Sequence, residues 1–149
     1  GPEHGVHPLA AVSWSGAMDL SIVYRQGNKT ARNGIDQLLG CHLSECPQTY
    51  ADASPVTHVS TGDGSLLFFN SQDERIPIAA AREMNQALGS ADVPHTLVVF
   101  KNSSKHARQY ECDPANIAGE RLPVIDASLR WLGTQLGQPT VPTGTFCSN

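Results

Sequence analysis

Three short stretches are apolar almost without interruption: Leu9–Trp14, Ser65–Asn70 and Thr96–Phe100. Apolar runs of this length between turn residues read as strands buried on both faces. Ser15-Gly16 closes the first, and the turn Gly62-Asp63-Gly64 precedes the second. The runs lie too far apart for hairpins, so the pattern predicts α/β architecture, a parallel sheet of about three strands with covering helices. Chirality rules place the second and third strands side by side. Between them Pro77 suits a first helical turn, and Ile78, Ala81, Met84 and Leu88 share one face of a helix over Ile78–Leu88, with Gly89 as its C′ residue. After the third strand comes an unusually long loop carrying Lys101–Asn116. A last helix, roughly Glu120–Leu136, has Ile125, Leu129, Leu132 and Leu136 on one stripe. Residues 17–60 are a mixed, cap-like excursion with short helical pieces at Gly34–Leu39 and Pro47–Ala53, the latter ended by Ser54-Pro55. The expected organisation is one domain over 1–137 and a Pro/Thr-rich tail over 138–149. Gly1-Pro2 reads equally as the scar of an engineered protease site or as native loop.

A chain of 149 residues suits one domain with a real core. Ten basic residues against fourteen acidic ones leave a net charge of -4 with no basic stripe, which argues against a nucleic-acid partner. No apolar run approaches the ~20 residues that span a bilayer, so no membrane span is expected. Cys41, Cys46, Cys112 and Cys147 include no C-x-x-C pair, and the six histidines form no tight ligand pattern. Of the three connectivities that four cysteines allow, Cys41–Cys46 with Cys112–Cys147 is favoured. Such pairing belongs to an oxidising compartment, so the protein is expected to be secreted or periplasmic. The alternative is four reduced, mostly buried thiols.

In open α/β sheets the chemistry sits beyond the carboxyl ends of the strands. Beyond the second strand comes Asn70-Ser71-Gln72-Asp73-Glu74-Arg75-Ile76-Pro77, and beyond the third Lys101-Asn102-Ser103-Ser104-Lys105-His106-Ala107. An acid and a histidine thus emerge at one edge from neighbouring strands. An acid that holds an imidazole in one tautomer is half of a nucleophile–histidine–acid relay.

Four segments resemble the α/β-hydrolase superfamily, in its esterase/lipase and prolyl-oligopeptidase-like branches. Asp73-x-x-Ile76-Pro77 resembles the D-x-x-[VI]-P element, whose Asp is the catalytic acid. Leu97–Phe100 followed by Ser104-Lys105-His106-Ala107 resembles the last strand and its histidine loop. Ser15-Gly16-Ala17-Met18-Asp19-Leu20 is similar to the S-G-x-x-D-L that ends the sixth strand, and Ala53-Ser54-Pro55-Val56 to the segment before the seventh. The resemblance implies Asp73 as acid and His106 as general base. It implies no metal or organic cofactor.

The sequence has neither G-x-S-x-G nor an H-G-G-type oxyanion loop. The chain therefore looks like the C-terminal half of a serine hydrolase of carboxylic esters, with its serine lying upstream and little activity alone. The expected partners are a small ester or peptide-like substrate and, at the cut edge of Leu9–Trp14, the N-terminal half or a second copy in a dimer. The alternative is a non-enzymatic half-domain that self-associates through that edge. Ser13-Trp14-Ser15-Gly16-Ala17 has the small-x-Ser-x-small core of a nucleophile elbow, but β-branched residues follow where a packed helix should begin, so Ser15 is not taken as the nucleophile. Trp14, Met18, Ile22 and Tyr24 are candidates for lining an acyl site or for core packing.

Overall fold

Strands β1 (Ala10–Trp14), β2 (Ser65–Ser71) and β3 (His95–Phe100) form a three-stranded sheet in the order β1-β2-β3 in a computed structural model that describes residues 7–138 and 147. Gly1-Pro2 and all of the 138–149 tail except Gln138 and Cys147 lie outside the described residues. Both pairings are parallel, Ala10 lying opposite Ser65 and Leu66 opposite His95. The buried strand β2 is central because it is apolar on both faces. Phe68 packs on one face with Met18, Ala81, Met84, Leu88 and Val93. Leu67 and Phe69 face the other way, into Tyr110, Ala115 and Val124. This alternation divides the core into two layers, one under each set of helices.

The excursion folds into α1 (Leu20–Gln26), α2 (Lys29–Leu39) and α3 (Pro47–Asp52). A packed helix after Ser15 was not expected from the β-branched run, and α1 corrects that expectation. Asp19 accepts from Ile22 N at 2.9 Å, Ser54 Oγ takes the orphan Leu20 N–H at 2.9 Å, and Leu20 and Val23 are buried. Capping and burial outweigh the small propensity penalty of β-branched residues. Helix α2 begins earlier than expected because Asn28 caps it through Ala31 N. Leu20, Val23, Ile35 and Tyr50 form the cap's own core, closed below by Ala80 of α4 (Ile78–Ser90). Met18 is buried in the core, while Ile22 and Tyr24 pack half-buried against the excursion's cluster and Trp14 half-buried beside Tyr110, so all four serve packing here.

Helix α4 runs past Gly89 to Ser90. The left-handed position falls on Asp92 (φ 54°) instead, with Val93 N–H reaching back to Leu88 O at 3.0 Å. Beyond β3 the structure adds a hairpin that the sequence pattern did not show, β4 (Pro114–Ile117) with β5 (Glu120–Pro123). Its turn residues Ala118 and Gly119 have φ 53° and 85°, a two-residue turn in which alanine replaces the usual Asn or Asp. Helix α5 therefore starts at Val124 and ends at Gln135, not at 120 and 136. It buries Val124, Ala127 and Ser128. The expected stripe of Ile125, Leu129 and Leu132 is half-buried, and Leu136 is exposed.

Both expected disulfides are present, Cys41–Cys46 between α2 and α3 and Cys112–Cys147 between the hairpin's approach and the tail. No helix among the described residues is long and apolar enough to cross a membrane.

Candidate active site

Parallel pairing ends β2 at Ser71 and β3 at Phe100, opposite one another. The loops that follow are zipped together before they diverge. Gln72 N–H donates to Phe100 O and Asp73 N–H to Ser103 O, each at 2.9 Å, and the hydroxyls of Ser71 and Ser103 meet at 3.1 Å. The chain then reverses. At the apex Asp73 is exposed, and among the described residues it makes the backbone bond to Ser103 alone.

The side chain of Glu74 folds back to the strand end. Its Oε1 accepts from Ser71 N–H at 2.8 Å, from Ser15 Oγ at 2.9 Å and from Asn70 Nδ2 at 3.2 Å. Its Oε2 accepts from His106 Nδ1 at 2.5 Å. The side chain is fully buried, whereas that of His106 keeps 23% exposure. Oε1 thus takes three donors and Oε2 one, and all four face a group that can serve them as acceptor alone. A carboxylate can only accept, so Nδ1 carries a proton, and in the neutral ring the lone pair lies on Nε2. Among the described residues Nε2 makes no hydrogen bond.

His106 was expected at this edge and stands there. Asp73 was expected beside it and is not there; the structure brings Glu74, one residue further on, to the imidazole instead. The reason is reach: from the apex Asp73 points to solvent, while the next carboxylate, one methylene longer, reaches back three residues to the N–H of Ser71. Among the described residues no cluster of His, Cys, Asp and Glu has the makings of a metal site.

The histidine loop is held at several points. His106 N–H donates to Gln109 Oε1 at 2.7 Å, and Lys105 Nζ pairs with Asp113 at 2.6 Å. Ala107 has φ 48°, a strained value for a residue with a Cβ, and its N–H donates to Ser15 Oγ at 2.9 Å. Ser15 is itself left-handed (φ 57°) and buried. Tyr110 OH meets Ser15 Oγ at 2.8 Å and Phe69 O at 3.0 Å. Burial, helped by the charge of Glu74, pushes the Tyr110 phenol up to about 12, with the Ser15 hydrogen bonds acting in the opposite sense. At neutral pH Tyr110 is therefore a proton donor.

Two clefts open among the described residues, the second of them beginning at the carboxyl end of β3. A groove of about 380 Å3 is walled by Ile117, Leu122 and Trp131, and a more open cleft of about 740 Å3 by Phe100, Lys101 and Arg121. Neither has His106 or Glu74 in its wall.

A parallel sheet with an acid and a histidine joined beyond the carboxyl ends of adjacent strands is an arrangement found in the α/β-hydrolase superfamily. The sequence profile of the BD-FAE family matches residues 3–88, more than half of the chain, and the chain belongs to that family. The match takes in Asp73 and Glu74 and ends inside α4, before His106.

Solved structures agree on the fold. A puromycin-hydrolyzing peptidase of Mycobacterium tuberculosis superposes with a TM-score of 0.60 at 21% identity, over 66% of this chain and 15% of its own. A puromycin hydrolase gives 0.61 at 18% identity over 86% of this chain and 18% of its own. An esterase of the planctomycete Thermogutta terrifontis gives 0.55 at 18% identity over 91% of this chain and 45% of its own. The chain thus spans from about a seventh to under half of the length of these structures. No curated protein matches it.

Proposed function

We propose that this chain supplies the acid and the general base of a serine hydrolase of carboxylic esters, with Glu74 as the acid, His106 as the base and the serine contributed by sequence upstream. The observation that carries the reading is the 2.5 Å bond between His106 Nδ1 and Glu74 Oε2 at the carboxyl edge of the sheet. Membership of the BD-FAE family and the esterases among the structural neighbours support the reaction class.

In this reading Glu74 fixes the tautomer. Nε2 of His106 removes the proton of the serine hydroxyl as oxygen attacks the ester carbonyl. The imidazolium so formed is stabilised by the buried carboxylate, then returns the proton to the departing alkoxide. In the second half-reaction Nε2 takes a proton from water as it attacks the acyl-enzyme, and returns it to the serine oxygen as the acyl–oxygen bond breaks and the acid leaves. General acid–base transfer of this kind contributes about 10²–10⁴ in rate.

The partner that completes the site is the N-terminal half of the hydrolase, entering beside β1. Among the described residues β1 is paired on one side alone. A second copy of the chain is the alternative occupant of that edge. Two disulfides suit a secreted or periplasmic setting.

The test combines an activated short-chain ester with a fluorophosphonate probe, applied to this chain and to the chain extended upstream. The extended protein is expected to turn over the ester and to carry the phosphonyl group on an upstream serine. An adduct on Ser15 of this chain would overturn the assignment of the nucleophile. An extended protein that folds, contains a G-x-S-x-G and hydrolyses no carboxylic ester would overturn the reaction class.

A further inference from the structure

Ser15 ties the end of β1 to β2 and to the loops that follow β2 and β3. It closes β1, and its N–H donates to Phe69 O of β2 at 2.8 Å. Its hydroxyl bonds the acid that follows β2 and the backbone of the histidine loop that follows β3. Proton counting fixes the direction of each bond. Glu74 Oε1 only accepts, so the single hydroxyl hydrogen of Ser15 goes there. Ala107 N–H only donates, so it fills one lone pair of Ser15 Oγ. The other faces Tyr110, whose proton is shared between Ser15 Oγ and Phe69 O. Every bonding position of the Ser15 hydroxyl is thereby used, in a residue 6% exposed.

Both ends of the Ser15–Ala107 bond sit in left-handed backbone, at φ 57° and 48°. Neither residue is a glycine. Strained backbone of this kind persists only where its surroundings over-determine it. Here the strain aims the Ser15 hydroxyl inward and turns Ala107 N–H towards it. His106 is the residue immediately before Ala107, so the bond fixes the imidazole at its root while Glu74 fixes it at its tip.

We propose that Ser15 is a positioning residue for the Glu74–His106 pair: one hydroxyl, oriented by Tyr110, locks the carboxylate and the histidine loop in register across the sheet edge. The inference rests on the proposed hydrolase role of that pair, but its first readout needs no turnover. A residue that merely stabilised the fold would shift the melt and leave the imidazole proton alone. A positioning residue acts on that proton.

Two variants test it. Ser15→Gly keeps the left-handed backbone at no steric cost and removes the hydroxyl. Tyr110→Phe keeps the buried ring and removes the donor that orients Ser15. In the native chain the Nδ1 proton of His106 is expected as a far-downfield NMR resonance in slow exchange with water. In Ser15→Gly its exchange should accelerate roughly tenfold or more, the scale of one hydrogen bond to a charged group. Tyr110→Phe should accelerate it by a smaller factor. Native exchange in folded Ser15→Gly overturns the proposal. If Ser15→Gly does not fold, native exchange in Tyr110→Phe overturns it. In the enzyme extended to include the serine, Ser15→Gly should lower kcat roughly tenfold with KM unchanged, and an unchanged kcat also overturns it. Failure of the reading on which it rests shows differently: the extended protein would hydrolyse no ester, or Glu74→Gln would keep the native rate, while the exchange results stand.

Discussion

Replacing Glu74 by glutamine isolates what the carboxylate does, because the site dictates how the amide must lie. One terminal oxygen and one NH2 must replace two oxygens. On one side stand three donors, Ser71 N–H, Ser15 Oγ and Asn70 Nδ2; on the other stands His106 Nδ1 alone. The Ser15 hydroxyl can rotate and the Asn70 amide can flip, but the backbone N–H of Ser71 cannot turn away. Placing NH2 against it leaves a buried donor unpaired, at about 1–3 kcal/mol. That favours the opposite orientation roughly five- to hundredfold. In the favoured orientation NH2 faces Nδ1, which must then accept, and the proton moves to Nε2. Glu74→Gln thus keeps the shape of the site and inverts the histidine. The assay is 15N-resolved NMR of the His106 ring at neutral pH. It should show a protonated Nδ1 in the native chain and a protonated Nε2 in Glu74→Gln. A variant that folds and keeps the Nδ1 proton would refute the reasoning, since no acceptor would then distinguish Glu74 from any nearby group.

Three further outcomes follow from the same structure. Removing Cys112–Cys147 by paired serine substitutions should cost about 4 kcal/mol and removing Cys41–Cys46 about 2, from chain-entropy arithmetic on sequence separations of 35 and 5; denaturant unfolding checks the order, and a reversed order would contradict it. Ser54→Ala should destabilise the fold by about 1–3 kcal/mol, because it strips the buried Leu20 N–H and Tyr50 O of their shared partner; a loss under about 0.5 kcal/mol would be too small. Tyr110 and Tyr50 hold their protons above the ordinary value of 10, chiefly through burial, with Asp36 adding to the effect at Tyr50. The folded state binds these protons more tightly than the unfolded one, so the stabilisation is complete below pH 10 and falls away as pH rises through about 12 for Tyr110. Alkaline unfolding followed by circular dichroism should begin above pH 10, and a melt insensitive to pH between 10 and 12 would contradict the assignment.

The sheet was legible because its three strands are nearly unbroken apolar runs, although β2 alone is buried on both faces and the flanking β1 and β3 are half-buried. The position of His106 was legible for the same reason: the strand ends fix which loops lie at the carboxyl edge of the sheet. What failed were features decided by reach and by tertiary partners. Asp73 and Glu74 are adjacent carboxylates, and nothing in their spacing tells which one turns inward; the choice rests on the distance back to Ser71 N–H. Helix α1 depends on Ser54, 34 residues from the Leu20 N–H that it caps, so a local reading of its β-branched residues misses it. The hairpin after Tyr110 turns on Ala118, whose positive φ has no signature in an alanine. Ser15 carried the pattern of a nucleophile elbow. Its small neighbours serve a sharp left-handed turn here as well, but one that points the hydroxyl at the acid.

The account stands on one pairing, Glu74 with His106, at the edge of a hydrolase sheet. The direct test is kcat for ester hydrolysis in the protein extended to include its serine, with Glu74→Gln, Asp73→Asn and His106→Ala measured side by side. Glu74→Gln should fall by up to ~10⁴, the scale of a wrong-tautomer triad, and His106→Ala by at least as much. Asp73→Asn, at the exposed apex, should stay within about twofold of the native rate. The opposite ranking, with Asp73→Asn inactive and Glu74→Gln near native, would contradict the account and return the acid to Asp73.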